Sequence, residues 1–124
     1  MSHTSMTIDL KKGYQDLIVW QKSIHFVERV YLLANDYPSD EQFGSIQQMR
    51  RAAVSIASNI AEGYRRRSMK EFRQFLRHSL GGASEIETQR IIGQRLDFSD
   101  PQSFCEFITE VDEIQKLLMG YSDP

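Results

Sequence analysis

Apolar side chains recur every three or four residues through four separate segments of the chain, and this period most constrains the fold. Such spacing lines one face of an α-helix, whereas a strand would alternate every second residue. The segments begin near Asp16, Ser39, Ser68 and Pro101, and no segment has a strand-like alternation. Because the links between them are short, the sequence predicts an all-α fold, an antiparallel up-down four-helix bundle.

The length of 124 residues suits one domain with a single core. We predict a loose leader over residues 1–13, one four-helix-bundle domain over 14–120 and a tail over 121–124. No stretch approaches the ~18 apolar residues that a membrane span needs, and the N-terminus lacks the apolar core of a signal peptide. The single cysteine, Cys105, cannot form an internal disulfide. These features predict a cytoplasmic protein.

The first helix carries two apolar rows. The row that we expect to face the core has the spacing 3-4-3-4-3 and comprises Leu17, Trp20, Ile24, Val27, Tyr31 and Ala34. The second row lies about 100° round the same helix and comprises Val19, Phe26, Val30 and Leu33. One row is enough for a lone four-helix bundle, so we predict that the second row forms an interface with another copy of the chain.

The second helix is predicted from a capping pattern at Ser39, with Gln42 reaching back to the first turn. We expect this helix to bury Phe43. We also expect it to end at Gly63, with that glycine in the left-handed conformation.

The third and fourth helices have similar signals at their ends. The run Ser68-Met69-Lys70-Glu71 has the form of a capping box and opens a helix that continues to about Gln94. Gly81-Gly82 falls in its middle, where each glycine costs about 1 kcal/mol relative to alanine, so we expect close packing or a kink there. The fourth helix starts at Ser99-Asp100-Pro101 and is predicted to stop at Gly120.

Residue types that serve catalysis or metal binding are scattered. The three histidines, at positions 3, 25 and 78, have no second ligand at a metal-site spacing. Glu85 and Glu87 stand two apart on a helix and point away from each other. No glycine-rich phosphate loop is present. We therefore predict no catalytic residue, no metal and no cofactor, and we expect that the protein is not an enzyme.

The net charge of −2 conceals an uneven distribution. Residues 45–80 carry eight basic and two acidic side chains, and residues 81–124 carry three basic and nine acidic ones. The eight basic residues are our candidate nucleic-acid contacts: Arg50, Arg51, Arg65, Arg66, Arg67, Lys70, Arg73 and Arg77. Four of these have the spacing 4-3-4 and would line one exposed face of the third helix: Arg66, Lys70, Arg73 and Arg77. Such a row suits an RNA backbone, since the guanidinium fork matches phosphate; a solvated helix face is the other interpretation.

A third interpretation involves acidic residues of the fourth helix. In a head-to-tail ring, the basic row of one subunit would meet the acidic row of the next. The candidate interface residues are accordingly Glu106, Glu110 and Glu113, together with Ser55, Asn59 and Glu62 on the second helix. Two interpretations of Asn59 and Glu62 stay open. They form a shared recognition site, or Glu62 pairs with an arginine while Asn59 bonds across a helix seam.

Several runs of the sequence are familiar. Residues 48–63 read Gln-Met-Arg-Arg-Ala-Ala-Val-Ser-Ile-Ala-Ser-Asn-Ile-Ala-Glu-Gly, and they follow Trp20-Gln21-Lys22. Together with residues 71–77 and 85–89, these runs resemble the four-helix-bundle family of 23S rRNA intervening-sequence proteins. The resemblance covers residues 20–92.

The resemblance implies an up-down bundle that assembles into rings, typically pentamers. It also implies kinship with accessory proteins of diversity-generating retroelements, which look like basic barrels that bind nucleic acid and a reverse transcriptase. The family has no settled biochemical activity. The chain departs from the family pattern at Ala57, where proline is common, at Gly81-Gly82-Ala83, where Gly-Ser-Leu is common, and at Arg90, where leucine is common.

Residues and resemblance together predict a non-enzymatic binding protein that forms a ring, which the resemblance implies is a pentamer. Its partner would be RNA or a ribonucleoprotein, held by the basic row of the third helix. The alternative is a scaffold or adaptor whose charged rows serve self-assembly without nucleic acid. Neither interpretation includes a membrane or a small-molecule substrate.

Overall fold

The computed structural model describes residues 13–122, which form four long α-helices and no strand. The helices are α1 (Ile18–Asn35), α2 (Gln47–Arg65), α3 (Met69–Arg95) and α4 (Pro101–Ser122). A 3₁₀ turn, Tyr14–Asp16, precedes α1, and a second one, Ser39–Glu41, follows it. The predicted all-α class is confirmed. The predicted leader, except Gly13, lies outside the described residues.

Each helix packs against the next, and α1 also packs against α4, so the four helices surround one core. Contacts between α2 and α3 pair late residues of one helix with early residues of the other. Near the end of α2, Gly63 contacts Phe72, whereas Gln48 near its start accepts a hydrogen bond from Gln89 of α3 at 2.8 Å. The largest fully buried side chains include Phe26, Met49, Ile56, Ile60, Leu76, Ile86, Phe104, Phe107, Ile114 and Leu118.

α1 buries the row that the sequence assigned to a second copy. Four residues of this row are at most 3% exposed within a single chain: Val19, Phe26, Val30 and Leu33. They have no surface left to offer a neighbouring copy, so their predicted interface role is wrong. Ser23 completes the row. Its buried hydroxyl donates to the carbonyl oxygen of Trp20 at 2.6 Å, which satisfies the one polar group in this seam.

The other row of α1 lies to one side of the core. Trp20, Ile24 and Val27 are half-buried, and Tyr31 is 40% exposed. This row was predicted to be the main core seam, and only its last residue, Ala34, is fully buried. The half-buried row therefore leaves apolar surface beside α2.

α2 begins later than its capping pattern predicts. Ser39 makes no capping hydrogen bond, and residues Gln42–Ile46 wind as a π-helical turn. Within that turn, Gly44 lies outside the helical region, at φ −112° and ψ −105°. The kink carries Phe43 away from the core and leaves it 85% exposed, so its predicted burial is wrong.

Glycines bring α2 and α3 close together. Gly63 is buried inside α2 and does not end the helix, which corrects its predicted left-handed role. The left-handed residue of this turn is Arg67, at φ 54°. A Cβ atom at Gly82 would lie 3.2 Å from Ile56 Cγ1 and 3.3 Å from the Ala52 carbonyl oxygen. Of the two predictions for the glycine pair, this geometry matches close packing.

The starts of α3 and α4 follow their sequence signals. Ser68 Oγ accepts a hydrogen bond from the backbone N–H of Glu71 at 3.3 Å, which confirms this cap. At α4, Asp100 accepts from the backbone N–H of Ser103 at 2.8 Å. α4 continues past the predicted stop to Ser122, and Tyr121 packs into the core, so residue 121 does not belong to a tail.

Candidate nucleic-acid interface

Cations crowd the corner where α2 ends and α3 begins. This corner, residues 62–73, holds five basic side chains and two acidic ones, Glu62 and Glu71. We refer to the five basic residues as the basic end: Arg65, Arg66, Arg67, Lys70 and Arg73. These residues lie close together because the turn between the helices is short: Arg66 is the C-cap of α2, and Ser68, two residues later, is the N-cap of α3.

Two arginines of the basic end rest on aromatic rings. The Arg65 guanidinium carbon lies 5.4 Å from the ring centroid of Tyr14, and that of Arg66 lies 5.2 Å from the ring centroid of Phe75. Arg66 Nε also lies 3.4 Å from Glu62 Oε2, an exposed ion pair. This geometry matches the structural interpretation of Glu62. Ring contacts of this kind fix the position of a guanidinium while leaving its outer N–H groups open.

Among residues 13–122, the remaining cations of the basic end have no acidic partner. Arg67 and Lys70 are exposed and form no ion pair within residues 13–122. Arg73 is half-buried, and its Nε–H has no hydrogen-bond acceptor among the described residues. A buried donor without an acceptor is unusual. A phosphate oxygen is an acceptor that arginine binds well.

The basic row predicted for the third helix is divided. Arg66 precedes α3 and stacks on Phe75, which is two positions from Arg73 and therefore points about 200° away from it. Lys70, Arg73 and Arg77 do share one face of α3, by their spacing of three and four residues. The predicted alignment of Arg66 with these three residues is wrong.

Arg50 and Arg51 lie away from the basic end. They stand near the start of α2, about 22 Å along the helix axis from Arg65 at 1.5 Å per residue. Arg50 donates to Asn35 Oδ1 at 3.0 Å, and its guanidinium carbon lies 4.8 Å from the ring centroid of Tyr31. The structure therefore does not bring all eight predicted cations into one surface.

The acidic row of α4 is paired within the chain. Glu106 Oε1 lies 3.5 Å from Arg29 Nη1, and Glu110 accepts a hydrogen bond from the same guanidinium. Glu113 Oε2 lies 2.9 Å from Lys22 Nζ. α1 therefore already supplies cations to these glutamates within one chain, and their contact with the arginines of another subunit stays a prediction.

The polar residues of α2 that were predicted to lie at an interface bond within their own helix. Ser55 Oγ donates to the Ala52 carbonyl at 3.0 Å, and Asn59 Nδ2 donates to the Ser55 carbonyl at 2.8 Å. Asn59 therefore does not bond across a helix seam as predicted. The bond that crosses the seam comes from Ser79 of α3, whose buried hydroxyl donates to the Ile56 carbonyl at 3.0 Å.

A long open groove runs between α1 and α2, and the sequence did not predict it. Its wider part, the distal hollow, has a volume of about 590 Å³ and lies beside Phe43, Arg50 and Arg51. The narrower part, the proximal hollow, has a volume of about 280 Å³. Eight residues line the proximal hollow: Tyr14, Trp20, Ile24, Val27, Val54, Ala57, Ser58 and Ala61. The signal in the sequence was the double apolar row of the first helix.

Residues suited to metal binding stay apart in the structure. Within residues 13–122, no group of three or more histidine, cysteine, aspartate or glutamate side chains is placed to hold a metal ion. His25 is exposed next to Glu28, and Cys105 is exposed as well. None of the helices in this range is both long and apolar enough to cross a membrane.

Comparison with known proteins identifies relatives of this fold. Residues 15–120 match the family model described as 23S rRNA-intervening sequence protein. A crystal structure from Bacteroides thetaiotaomicron, of a protein of unknown function from the S23 ribosomal protein family, superimposes with a TM-score of 0.78. The two sequences are 25% identical, and the alignment covers 86% of this chain and all of the other. No curated protein matches the chain.

Proposed function

Because the chain belongs to the 23S rRNA-intervening sequence protein family, we propose that it is a non-enzymatic, cytoplasmic protein that binds structured RNA through the basic end. The observation that carries the proposal is the crowding of five cations against two carboxylates in one corner of the fold. An unbalanced cluster of this kind attracts a polyanion and releases counterions when it binds.

The geometry of the basic end favours phosphate as the bound group. Arg65 and Arg66 are held on aromatic rings, so ordering them on a ligand costs less side-chain entropy than ordering free side chains. Arg73 presents a buried N–H donor with no acceptor among the described residues. Few exposed aromatic rings accompany these cations, so contacts to the RNA backbone suit the site better than base stacking does.

The proposal includes assembly. We propose that the helices form an antiparallel up-down bundle, and that copies of it associate through the α1–α2 groove into a ring, pentameric as the family resemblance implies. Apolar surface in that groove supports this, since Tyr31 and Val54 are each at least 40% exposed. A ring would carry several basic ends and would bind a long RNA at several points at once.

The test compares two triple variants with equal loss of charge. Arg67→Asn/Lys70→Gln/Arg73→Gln neutralises the basic end, and asparagine tolerates the positive φ of position 67. The matched control neutralises three cations outside both the basic end and the α1–α2 groove: Lys22→Gln/Arg95→Gln/Lys116→Gln. Both proteins are titrated by fluorescence anisotropy against a structured RNA at several salt concentrations.

We expect the basic-end variant to lower the slope of log Kd against log salt by about 2–3, close to one per lost phosphate contact. The control should keep a slope near that of the wild-type protein. Absence of binding at low salt, or equal losses in both variants, would refute the proposal.

A scaffold or adaptor is the second candidate function, and the α1–α2 groove favours it. It predicts a stable oligomer that binds no RNA under any salt condition. Arg73→Glu separates two forms of this candidate, because a scaffold that assembles through charged rows loses oligomer mass in light scattering. A scaffold that assembles through the groove keeps its mass in the same variant.

A further inference from the structure

We infer that Phe43 of one copy inserts into the proximal hollow of a second copy, so that the two copies join head to tail. The inference deepens the proposed assembly and rests on it. The protruding residue and the receiving hollow are both present on every chain, so each copy can give one contact and receive another.

Phe43 has the properties of a protruding contact residue. It is 85% exposed, the highest value for any large apolar side chain among the described residues. The π turn and the non-helical backbone of Gly44 hold it outside the core. An aromatic ring is among the largest apolar surfaces that one side chain can bury in an interface. Its position is therefore explained by a partner that covers it.

The proximal hollow has the size and lining for a phenyl ring. An apolar cavity of about 150 Å³ is enough to hold benzene, and this hollow has a volume of about 280 Å³. Its lining carries no charged side chain. Ala57 and Ala61 leave the hollow deep, because their side chains are single methyl groups.

The distal hollow suits the ring less well. Arg50 and Arg51 border it, and an apolar ring placed there would remove water from two cations. Phe43 itself already forms one of its walls. A ring from a second copy therefore fits the proximal hollow better.

Phe43 cannot fill the proximal hollow of its own chain. It precedes α2 and lines the distal hollow, whereas Ala61, which lines only the proximal hollow, lies fourteen residues after the first residue of that helix, or about 21 Å at 1.5 Å per residue. A second chain must supply the ring. Because the protruding residue and the hollow are different surfaces, the contact is heterologous, and its repetition closes a ring when the rotation allows.

Two variants test the contact from its two sides. Phe43→Ala removes the protruding ring and leaves the core untouched, since Phe43 is not part of it. Ser58→Trp blocks the groove from an exposed position on α2 where its two hollows meet, and quenching of Trp20, which lines only the proximal hollow, then distinguishes the two. The matched control is Leu32→Ala, which shortens another exposed apolar side chain outside both hollows.

Light scattering over a concentration series measures the association of each protein. We expect Phe43→Ala and Ser58→Trp each to weaken association by ~30-fold or more, as loss of a central interface residue does. Leu32→Ala should associate as the wild-type chain does. An equal mixture of the two variants should form species with the mass of two copies, because one variant keeps the hollow and the other keeps the ring.

Trp20 gives an independent readout, since it is the only tryptophan of the chain and lines the proximal hollow. In the wild-type protein, protection of Trp20 from acrylamide quenching should rise with protein concentration, and Phe43→Ala should abolish that rise. Protection that is independent of concentration and unchanged in the variant overturns the inference, because the fold of a single chain would then account for all of it.

The remaining outcomes separate this inference from the proposals before it. If Phe43→Ala keeps the full oligomer mass, the contact is wrong while assembly stands. If the wild-type protein is monomeric at every concentration, both the contact and the ring are refuted. Contact between the basic end and RNA is measured separately, and either result leaves that contact standing; loss of the ring would remove only the multivalent binding that several basic ends supply.

Discussion

Replacing Gly63 with alanine should destabilise the fold, and the same replacement at Gly81 should stabilise it. Both glycines lie inside helices, so alanine improves the local helical preference at each position by about 1 kcal/mol. Their surroundings differ. A Cβ atom at Gly63 would lie 2.6 Å from Phe75 Cβ, whereas a Cβ atom at Gly81 would meet nothing within 4 Å.

The magnitude follows from how far α3 must move. Carbon atoms pack at about 3.5–4.0 Å, so the contact with Phe75 requires a displacement of roughly 1 Å. The Phe75 Cβ atom is fixed to the backbone of α3 and cannot rotate away, and Phe72 Cδ1 at 3.1 Å closes a second direction. Overpacking of this kind costs about 1–3 kcal/mol. After the helical gain, Gly63→Ala should lose up to about 2 kcal/mol, while Gly81→Ala should gain up to about 1 kcal/mol.

The assay is urea unfolding followed by circular dichroism, with all proteins at one concentration because association shifts apparent stability. The two variants should differ in midpoint and agree in slope. If Gly63→Ala is as stable as Gly81→Ala, α2 and α3 do not approach as closely as these distances require, and the packing argument fails.

Three further predictions concern titration and charge. Burial raises the pKa of Tyr37 to about 12, partly offset by the cationic Arg90. The stability that Tyr37 contributes should therefore be constant below about pH 10 and fall as the pH rises toward 12, and Tyr37→Phe should flatten that fall in urea titrations at alkaline pH. Hydrogen bonds from the Ser103 backbone N–H and hydroxyl lower the pKa of Asp100. The stability that the Asp100 carboxylate contributes is present above its unfolded pKa and should be lost as the pH falls through its folded pKa. Asp100→Asn should keep the cap and remove this dependence from acid unfolding curves. Arg29→Gln should cost at most about 1 kcal/mol, and less in high salt, because its ion pairs are half-exposed.

Long periodic segments made the helices predictable from the sequence. α3 was expected from Ser68 to about Gln94, and it spans Met69–Arg95. Its capping bond is local, between Ser68 and Glu71, so nothing distant in the chain could change it. The number of helices and the start of α4 follow for the same reason.

The face of α1 that meets the core was not predictable from apolar spacing. The buried row has the spacing 4-3-4-3 only when Ser23 is included, and a serine does not count as apolar in such a pattern. Its hydroxyl bonds to the carbonyl of Trp20, so it enters the core without an unsatisfied polar group. The uninterrupted row then looked like the core seam. The sequence therefore assigns to the core a row that mostly lines the groove, and assigns the buried row to an interface.

The roles of Gly63 and Phe43 depend on tertiary contacts that no local pattern contains. Glycine near the end of a helix normally predicts a left-handed cap, yet Gly63 lies one residue before the buried Tyr64 and is required by the approach of α3. Ser39 and Gln42 fit a capping box, yet the chain there forms a 3₁₀ turn and then a π turn. These turns place Phe43 on the surface instead of in the core, and there it becomes the residue that we infer contacts a second copy.

The charges of the chain have a different distribution in space than in sequence. Counting along the chain suggested a basic block and an acidic block that would meet between subunits. Because α4 lies beside α1, Lys22 and Arg29 form ion pairs with the acidic row inside one chain, so that row has less unpaired negative charge than the count along the sequence suggests. Arg50 bonds to Asn35 far from the corner and leaves the cluster as well. The densest group of cations, five against two carboxylates, is therefore the α2–α3 corner, and the position of a neutralised cation should matter more for RNA binding than the net charge that its loss changes.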